Sequence, residues 1–273
     1  MPETIRSLGF IGAGNMATAI AQGVVQKRRL AAEACAFYDI DPAKGRNLAD
    51  ALGGRACDSA RQVMESCATV IVATKPQTIR DALGAMAPHV TPKHLIVSIA
   101  AGVPCSKIEG LLPEGTRVVR VMPNTPALIG MGATAVAGGS RATSEDVESV
   151  VKLFQTVGIA ARVDESLLDA VTAVSGSGPA YVFRYMELMR DAAIELGFDP
   201  QLAEKFTLQT FLGAALLVEQ SAAPLEELRR RVTSPGGTTA AALEVFEDRE
   251  LEALVKDALR AARDRAKDLA DRA

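Results

Sequence analysis

Two hydrophobic rhythms divide this chain. Up to about residue 164, short apolar runs alternate with stretches whose apolar residues recur at helical spacing. The runs are Leu8–Phe10–Ile11, Ala36–Asp39, Thr69–Ala73, Leu95–Ser98, Arg117–Met122, Thr134–Ala137 and Ile159–Val163. Thr69–Ala73 is continuous and β-branched, as a strand covered on both faces should be. Between the runs, residues 17–25, 43–52, 61–66, 79–87 and 144–156 read as helices. Strand–helix–strand repetition of this kind predicts an α/β domain with a doubly wound, mostly parallel sheet over residues 1–164.

From Glu165 the strand rhythm stops. Leu167–Val174, Ala180–Leu196, Leu202–Glu219, Leu225–Arg231, Ala240–Phe246 and Arg249–Arg272 all read as helices, so residues 165–273 form an all-α domain. The last is amphipathic, with Leu251, Leu254, Val255, Leu259 and Leu269 on one stripe. Leu202–Glu219 is so apolar that it is expected to be buried. Several helices are apolar on more than one face, which predicts a homodimer through this half.

Composition narrows the functional classes. A net charge of −3, 4% aromatic residues and no tryptophan argue against a nucleic-acid surface or an anionic membrane surface. No apolar run approaches the length of a membrane span, and the first residues carry no targeting pattern. Cys35, Cys57, Cys67 and Cys105 make no CxxC pair, and His89 and His94 are the only histidines, so no metal site is expected. Reduced thiols in a cytoplasmic protein follow from the same pattern.

The first apolar run leads into Gly12-Ala13-Gly14-Asn15-Met16-Ala17, a G-x-G-x-x-A turn opening a helix. Gly12 suits the tight turn. Gly14 lets a pyrophosphate approach the backbone, and Ala17 keeps helix and strand close. The helix start offers amides and a positive dipole end. The plain alternative is a tight strand-to-helix turn without a ligand. Asp39 ends the second strand, 27 positions after Gly12, and is placed to accept hydrogen bonds from an adenosine ribose, which leans toward NADH. Either Asp39 or Asp41 is alternatively a cap for the helix starting at Pro42. Lys75, in Thr74-Lys75-Pro76, follows the Thr69–Ala73 strand and is a second candidate cofactor contact or a surface lysine. Ile99-Ala100-Ala101 supplies small residues after the next strand. Pro123-Asn124-Thr125-Pro126 makes a rigid loop at the same edge, a cofactor contact or only a stiff turn.

In the helical half, Ser175-Gly176-Ser177-Gly178-Pro179 and Thr233-Ser-Pro-Gly-Gly237-Thr238-Thr239 break otherwise good helices. Each offers hydroxyls and backbone amides at a helix start, which suit a small carboxylate. Singly they read as capped turns. Together, beside a cofactor loop, they suggest a substrate pocket.

These residues carry a family resemblance. Ala173–Tyr181 and Val232–Leu243 resemble pyrroline-5-carboxylate reductase, as do Phe10–Met16, Ala73–Pro76, Ser98–Gly102 and Val121–Pro126, in order and over nearly the whole chain. The resemblance implies NAD(P)H-dependent reduction of 1-pyrroline-5-carboxylate to L-proline, a Rossmann domain, a helical dimerisation domain and higher assemblies of dimers. It implies cofactor contacts at Ile11, Gly12, Ala13, Gly14, Asn15, Met16, Ala73, Thr74, Lys75, Pro76, Ile99, Ala100 and Ala101. It implies substrate contacts at Glu165, Ser175, Gly176, Ser177, Gly178, Thr238 and Thr239; from the residues themselves, the amides around Gly237 to Thr239 and Ser175 to Gly178 are expected to hold the carboxylate. The family often favours NADPH. Where the family commonly places an asparagine contact before its third helix, this chain has Ser59-Ala60.

The available chemistry agrees. Carbonyl reduction needs a proton-handling His or Lys, and the helical half has no histidine. Nor does a lysine stand one helical turn beyond Ser175–Tyr185, where 3-hydroxyacid dehydrogenases of similar layout carry one. A protonated cyclic imine is already an electrophile and needs mainly positioning and a hydroxyl near its nitrogen, a role assigned to Thr239. The competing readings are a 3-hydroxyacid dehydrogenase, another imine reductase, or a dinucleotide-binding protein without catalysis.

Overall fold

The computed structural model describes residues 5–272. The chain divides into two compact units: one runs to Ser177 and includes the stretch from Ala261 onward, and the other is Gly178–Arg260.

The first unit is built on β1 (Leu8–Ile11), β2 (Cys35–Tyr38), β3 (Arg55–Ala56), β4 (Thr69–Val72), β5 (Leu95–Ser98), β6 (Arg117–Met122), β7 (Gly132–Gly138) and β8 (Gly158–Arg162). They form one sheet in the order β3-β2-β1-β4-β5-β6-β7-β8. All neighbours are parallel except β6 and β7. The helices are α1 (Asn15–Gln26), α2 (Pro42–Leu52), α3 (Ala60–Ser66), α4 (Ile79–Met86), α5 (Cys105–Glu109), α6 (Ser144–Phe154) and α7 (Leu168–Val171).

Alternation along the strands feeds two helical layers. Leu8 and Phe10, Ile71, Val97 and Val119 pack with α1 and α6 through Ile20, Val24, Val150 and Phe154. Ile11, Val70, Val72 and Ile96 pack with α3, α4 and α5 through Val63, Leu83, Met86 and Ile108. Each such fully buried side chain contributes about 1.5–3 kcal/mol. Gly9 sits in β1 because a Cβ there would lie 2.4 Å from Val63 of α3.

The second unit contains α8 (Gly178–Glu195), α9 (Pro200–Gln220), α10 (Leu225–Arg231), α11 (Thr238–Asp248) and the beginning of α12 (Leu251–Arg272).

Three features differ from the sequence reading. The compact units part after Ser177, not at 164/165, because Leu168 and Val171 pack on Ala135, Ala137 and Met122 of the sheet. The interruption expected at Ser175–Gly178 is present but is not an open turn: the chain bends at Ser177 and α8 starts at Gly178. The chain runs through a π-helical turn over Thr172–Gly176 into α8, and the Ser177 amide donates to the Thr172 carbonyl at 2.8 Å. Finally, α9 is apolar but not buried within the chain. Only Ala203 and Thr207 of this helix are buried, while Phe206, Leu208, Leu212 and Leu217 are exposed.

Candidate functional site

In doubly wound sheets, ligands bind outside the carboxyl ends of the strands. At that edge the turn from β1 to α1 has φ +100° at Gly12, and a Cβ there would stand 2.6 Å from the Ala73 carbonyl oxygen at the end of β4. Only glycine fits. Gly14 is the opposite case: a Cβ would meet nothing within 4 Å, so its surroundings are open. No side chain caps α1, and its first intrahelical bond runs from the Thr18 amide to the Gly14 carbonyl. The amides of Asn15, Met16 and Ala17 are therefore unpaired within the helix.

Ile11, Gly12, Gly14, Asp39, Ala73, Thr74 and Lys75 line one cavity of about 520 Å³ at this edge. Sequence reasoning missed Lys44 and Asp81, which also line it. Each stands a few residues into the helix that follows a strand ending at this edge, and that register was the signal available. Ala60, where the family pattern commonly has asparagine nearby, lines it too, while Ser59 caps α3 by accepting from the Gln62 amide at 3.4 Å. A larger hollow of about 590 Å³ lies at the amino ends of β4, β5 and β6, beside Thr69, Leu95 and the Arg117–Asp146 pair at 2.6 Å. We assign the ligand edge to the smaller cavity, because strand amino ends are not where such sheets build sites.

The two aspartates have separate jobs. Asp41 caps α2, accepting from the Ala43 amide at 3.1 Å. Asp39 reaches back to the glycine turn: its Oδ2 accepts from the Ala13 amide at 2.7 Å and its Oδ1 from the Asp41 amide at 2.9 Å. The Thr74 hydroxyl is buried and has no hydrogen-bond partner. The open space at Gly14, the unpaired amides of α1 and the orphaned Thr74 hydroxyl all fit a dinucleotide.

The other expected cofactor residues stand off this cavity. Ala13 is buried in the turn, while Asn15 is exposed and Met16 half-buried in the first turn of α1. Pro76 opens a short 3-10 turn, and Ile99, Ala100 and Ala101 follow β5, with the Ala100 amide on the Ser98 hydroxyl at 3.3 Å. Asn124 is buried, and its amide group is engaged by Ala133 and Ser175.

Glu165 is committed inside the first unit. Its Oε1 accepts from the Cys105 amide at 2.7 Å, capping α5, and pairs with Arg120 at 3.3 Å. Arg120 also meets Asp169 at 3.4 Å. Sequence reasoning missed Arg120, a charge in the middle of an apolar strand. The Ser175 hydroxyl donates to the Val171 carbonyl at 3.1 Å, and Gly176 packs so tightly that a Cβ would be 2.4 Å from Met122 Cε. With the Ser177 amide also in use, this stretch offers a ligand the Ser177 hydroxyl rather than a row of free amides.

In the second unit, Gly236 has φ +67° and Gly237 precedes α11 without a side-chain cap. The Gly237 amide turns back to the Ser234 carbonyl at 3.0 Å. The first intrahelical bond of α11 comes from the Ala241 amide, so those of Thr238, Thr239 and Ala240 point outward from the helix end. Thr239 is half-buried.

Fold and turn together define a Rossmann-type dinucleotide-binding protein with an all-helical carboxyl-terminal part. Residues 165–269 match the family described as pyrroline-5-carboxylate reductase dimerisation, and residues 7–102 match NADP oxidoreductase coenzyme F420-dependent. A pyrroline-5-carboxylate reductase of Pseudomonas aeruginosa is 43% identical over 268 residues, with 97% of each chain covered. One from Methanosarcina acetivorans is 39% identical, with 97% of this chain and 98% of that one covered. The crystal structure of the Plasmodium falciparum enzyme with NADP bound superposes with a TM-score of 0.86 at 30% identity, covering 99% of this chain and all of that one. The Coxiella burnetii enzyme gives 0.91 at 33%, covering 97% and 99%. The chain belongs to the pyrroline-5-carboxylate reductase family.

Proposed function

We propose that this chain reduces 1-pyrroline-5-carboxylate to L-proline with NAD(P)H, the final step of proline synthesis. Family membership over 97% of the chain carries this reading, and the orphaned Thr74 hydroxyl, in the same cavity as the open Gly14, supports the cofactor's place. Residues 1–164 serve the cofactor and residues 165–273 serve the substrate and dimerisation. The bound nicotinamide supplies hydride to the imine carbon.

The chain's own residues bind, orient and move one proton. Amides of α1 from Asn15 to Ala17 receive the pyrophosphate, with Gly12 and Gly14 giving it room. Ala73 to Pro76 lie along the cofactor, with Ile99 to Ala101 nearer the nicotinamide. The start of α11, from Gly237 to Thr239, takes the substrate carboxylate. The Thr239 hydroxyl hydrogen-bonds the ring nitrogen and helps supply its proton. No residue has to act as a strong acid, because the imine nitrogen is itself basic and takes its proton through the Thr239 hydroxyl, directly or from water beyond it.

Dimerisation through the helical part is supported by the family match and by the uncovered apolar faces of α8 and α9, where Phe183, Leu188, Phe206 and Leu212 are exposed. Among the described residues no helix is long and apolar enough to cross a membrane. All four cysteines are free thiols, which supports a reducing, cytoplasmic place.

The test is oxidation of NADH or NADPH in the presence of 1-pyrroline-5-carboxylate, followed by nicotinamide absorbance, with L-proline identified as product. Thr239→Ala should lower kcat about 100-fold while the cofactor Kd stays put. No turnover by the wild-type protein sinks the reading; unchanged kcat in the variant sinks the role of Thr239.

A further inference from the structure

We propose that this chain selects NADH over NADPH, and that Asp39 makes the selection. The inference rests on the functional reading above, since it takes the carboxyl-edge cavity as the dinucleotide site.

The end of β2 is where a dinucleotide's adenosine ribose lies in this fold. Asp39 is the first residue beyond that strand, and its carboxylate is pinned on the cavity wall. One oxygen holds the Ala13 amide in the middle of the glycine turn at 2.7 Å, and the other holds the Asp41 amide at 2.9 Å. Swinging away would strip two backbone amides of their acceptor. Each carboxylate oxygen keeps a further acceptor position, which matches ribose hydroxyls. A 2′-phosphate would instead bring nearly two negative charges against a fixed third.

The cations near it offset that repulsion only in part. Among the described residues lining the cavity there is no arginine. Lys44 stands at this end, but its ammonium is 3.8 Å from Asp41, so the local balance of Asp39, Asp41 and Lys44 remains negative. Lys75 follows β4, two strand spacings or about 10 Å from β2. The residue after Asp39 is Ile40, 90% exposed: an apolar surface for an adenine face, and no donor for phosphate oxygens. One relative's structure holds NADP, but the β2 end of this chain is built for a free ribose.

The experiment is equilibrium titration with NADH and with NADPH by calorimetry or nicotinamide emission, on wild type, Asp39→Asn and Ile40→Arg. NADH should bind wild type at least about tenfold more tightly, and added salt, to about 0.5 M, should narrow the gap. Asp39→Asn, which keeps an acceptor oxygen and loses the charge, should shift the ratio toward NADPH by about tenfold. Ile40→Arg changes an exposed position and should raise NADPH affinity even if the Asp39 variant folds poorly. Wild-type protein that binds NADPH as tightly as NADH overturns the inference alone, and so does a folded Asp39→Asn with an unmoved ratio. Wild-type protein that binds neither nucleotide overturns the inference and the functional reading together.

Discussion

The side-chain amide of Asn124 donates to the Ser175 carbonyl at 3.0 Å, tying the end of β6 to the π-helical turn that leads into α8. Its orientation is fixed by the other half of the amide, which accepts from the Ala133 amide at 2.8 Å. Asn124 is 8% exposed, so both bonds are made away from bulk water. A π-turn leaves backbone groups out of register with the helix, and such turns cluster at functional sites. Here the Ser175 carbonyl gains a partner from the sheet, and Ser177 is held relative to β6.

Asn124→Asp keeps the acceptor toward Ala133 and loses the donor toward Ser175. It should cost about 1–3 kcal/mol in urea unfolding. It should also raise KM for the imine while leaving the cofactor Kd unchanged. A weakened cofactor Kd with an unmoved KM would return Asn124 to the role of a direct cofactor contact.

The two glycines of the turn should respond differently to one added methyl. Gly12→Ala drives a Cβ to 2.6 Å from the Ala73 carbonyl at φ +100° and should destabilise the protein by about 1–3 kcal/mol. Gly14→Ala meets no protein atom within 4 Å and has φ −79°, so its melting temperature should barely move. The same methyl occupies space proposed for the pyrophosphate, and cofactor affinity should fall at least about tenfold. Thermal melts with cofactor titrations on both variants separate fold from binding; full affinity in Gly14→Ala would remove the pyrophosphate from that position.

The glycine turn was legible because every signal for it is local: a short apolar run, two glycines, then alanines at helical spacing. The sharing of work between Asp39 and Asp41 was not. Both sit before a helix, and only the 26-residue reach from Asp39 to Ala13 assigns them. Ser175-Gly-Ser-Gly-Pro looked like a break because those residues disfavour helix. Tertiary contacts shape the π-helical turn that forms there instead: Asn124 satisfies Ser175, and the Met122 side chain packs against Gly176. The exposure of α9 was hidden for a related reason, since apolar spacing tells which face wants cover but not which chain supplies it.

Arg120 was illegible in the same way, because its partners lie 45 and 49 residues downstream. Its side chain is 6% exposed and faces Glu165 and Asp169. Arg120→Met would leave two carboxylates together without their cation and should cost about 3–5 kcal/mol by urea unfolding. Adding Glu165→Gln and Asp169→Asn should recover part of that loss, since a side-chain amide oxygen in place of the Glu165 carboxylate would still accept from the Cys105 amide. A single-variant loss under about 1 kcal/mol would show that the triad contributes little.

The buried thiols set an alkaline limit on stability. Burial pushes Cys35 and Cys67 up to about 11 from 9.0, with the neighbouring Cys67 adding to the shift of Cys35; burial and then the Glu165 carboxylate raise Cys105 as well. In the unfolded chain these thiols lose their protons near pH 9, whereas in the folded protein they keep them to higher pH. The folded state therefore binds more protons between those values, and stability falls as pH rises. Their contribution is fully present below pH 9 and is lost by about pH 11 for Cys35 and Cys67. Melting temperatures of wild type should decline more steeply from pH 9 to 11 than those of Cys35→Ala/Cys67→Ala. The comparison is one of slopes, so the small cavities left by the alanines shift the whole curve without altering the outcome. Parallel slopes would mean that these thiols ionise alike in the folded and unfolded chain.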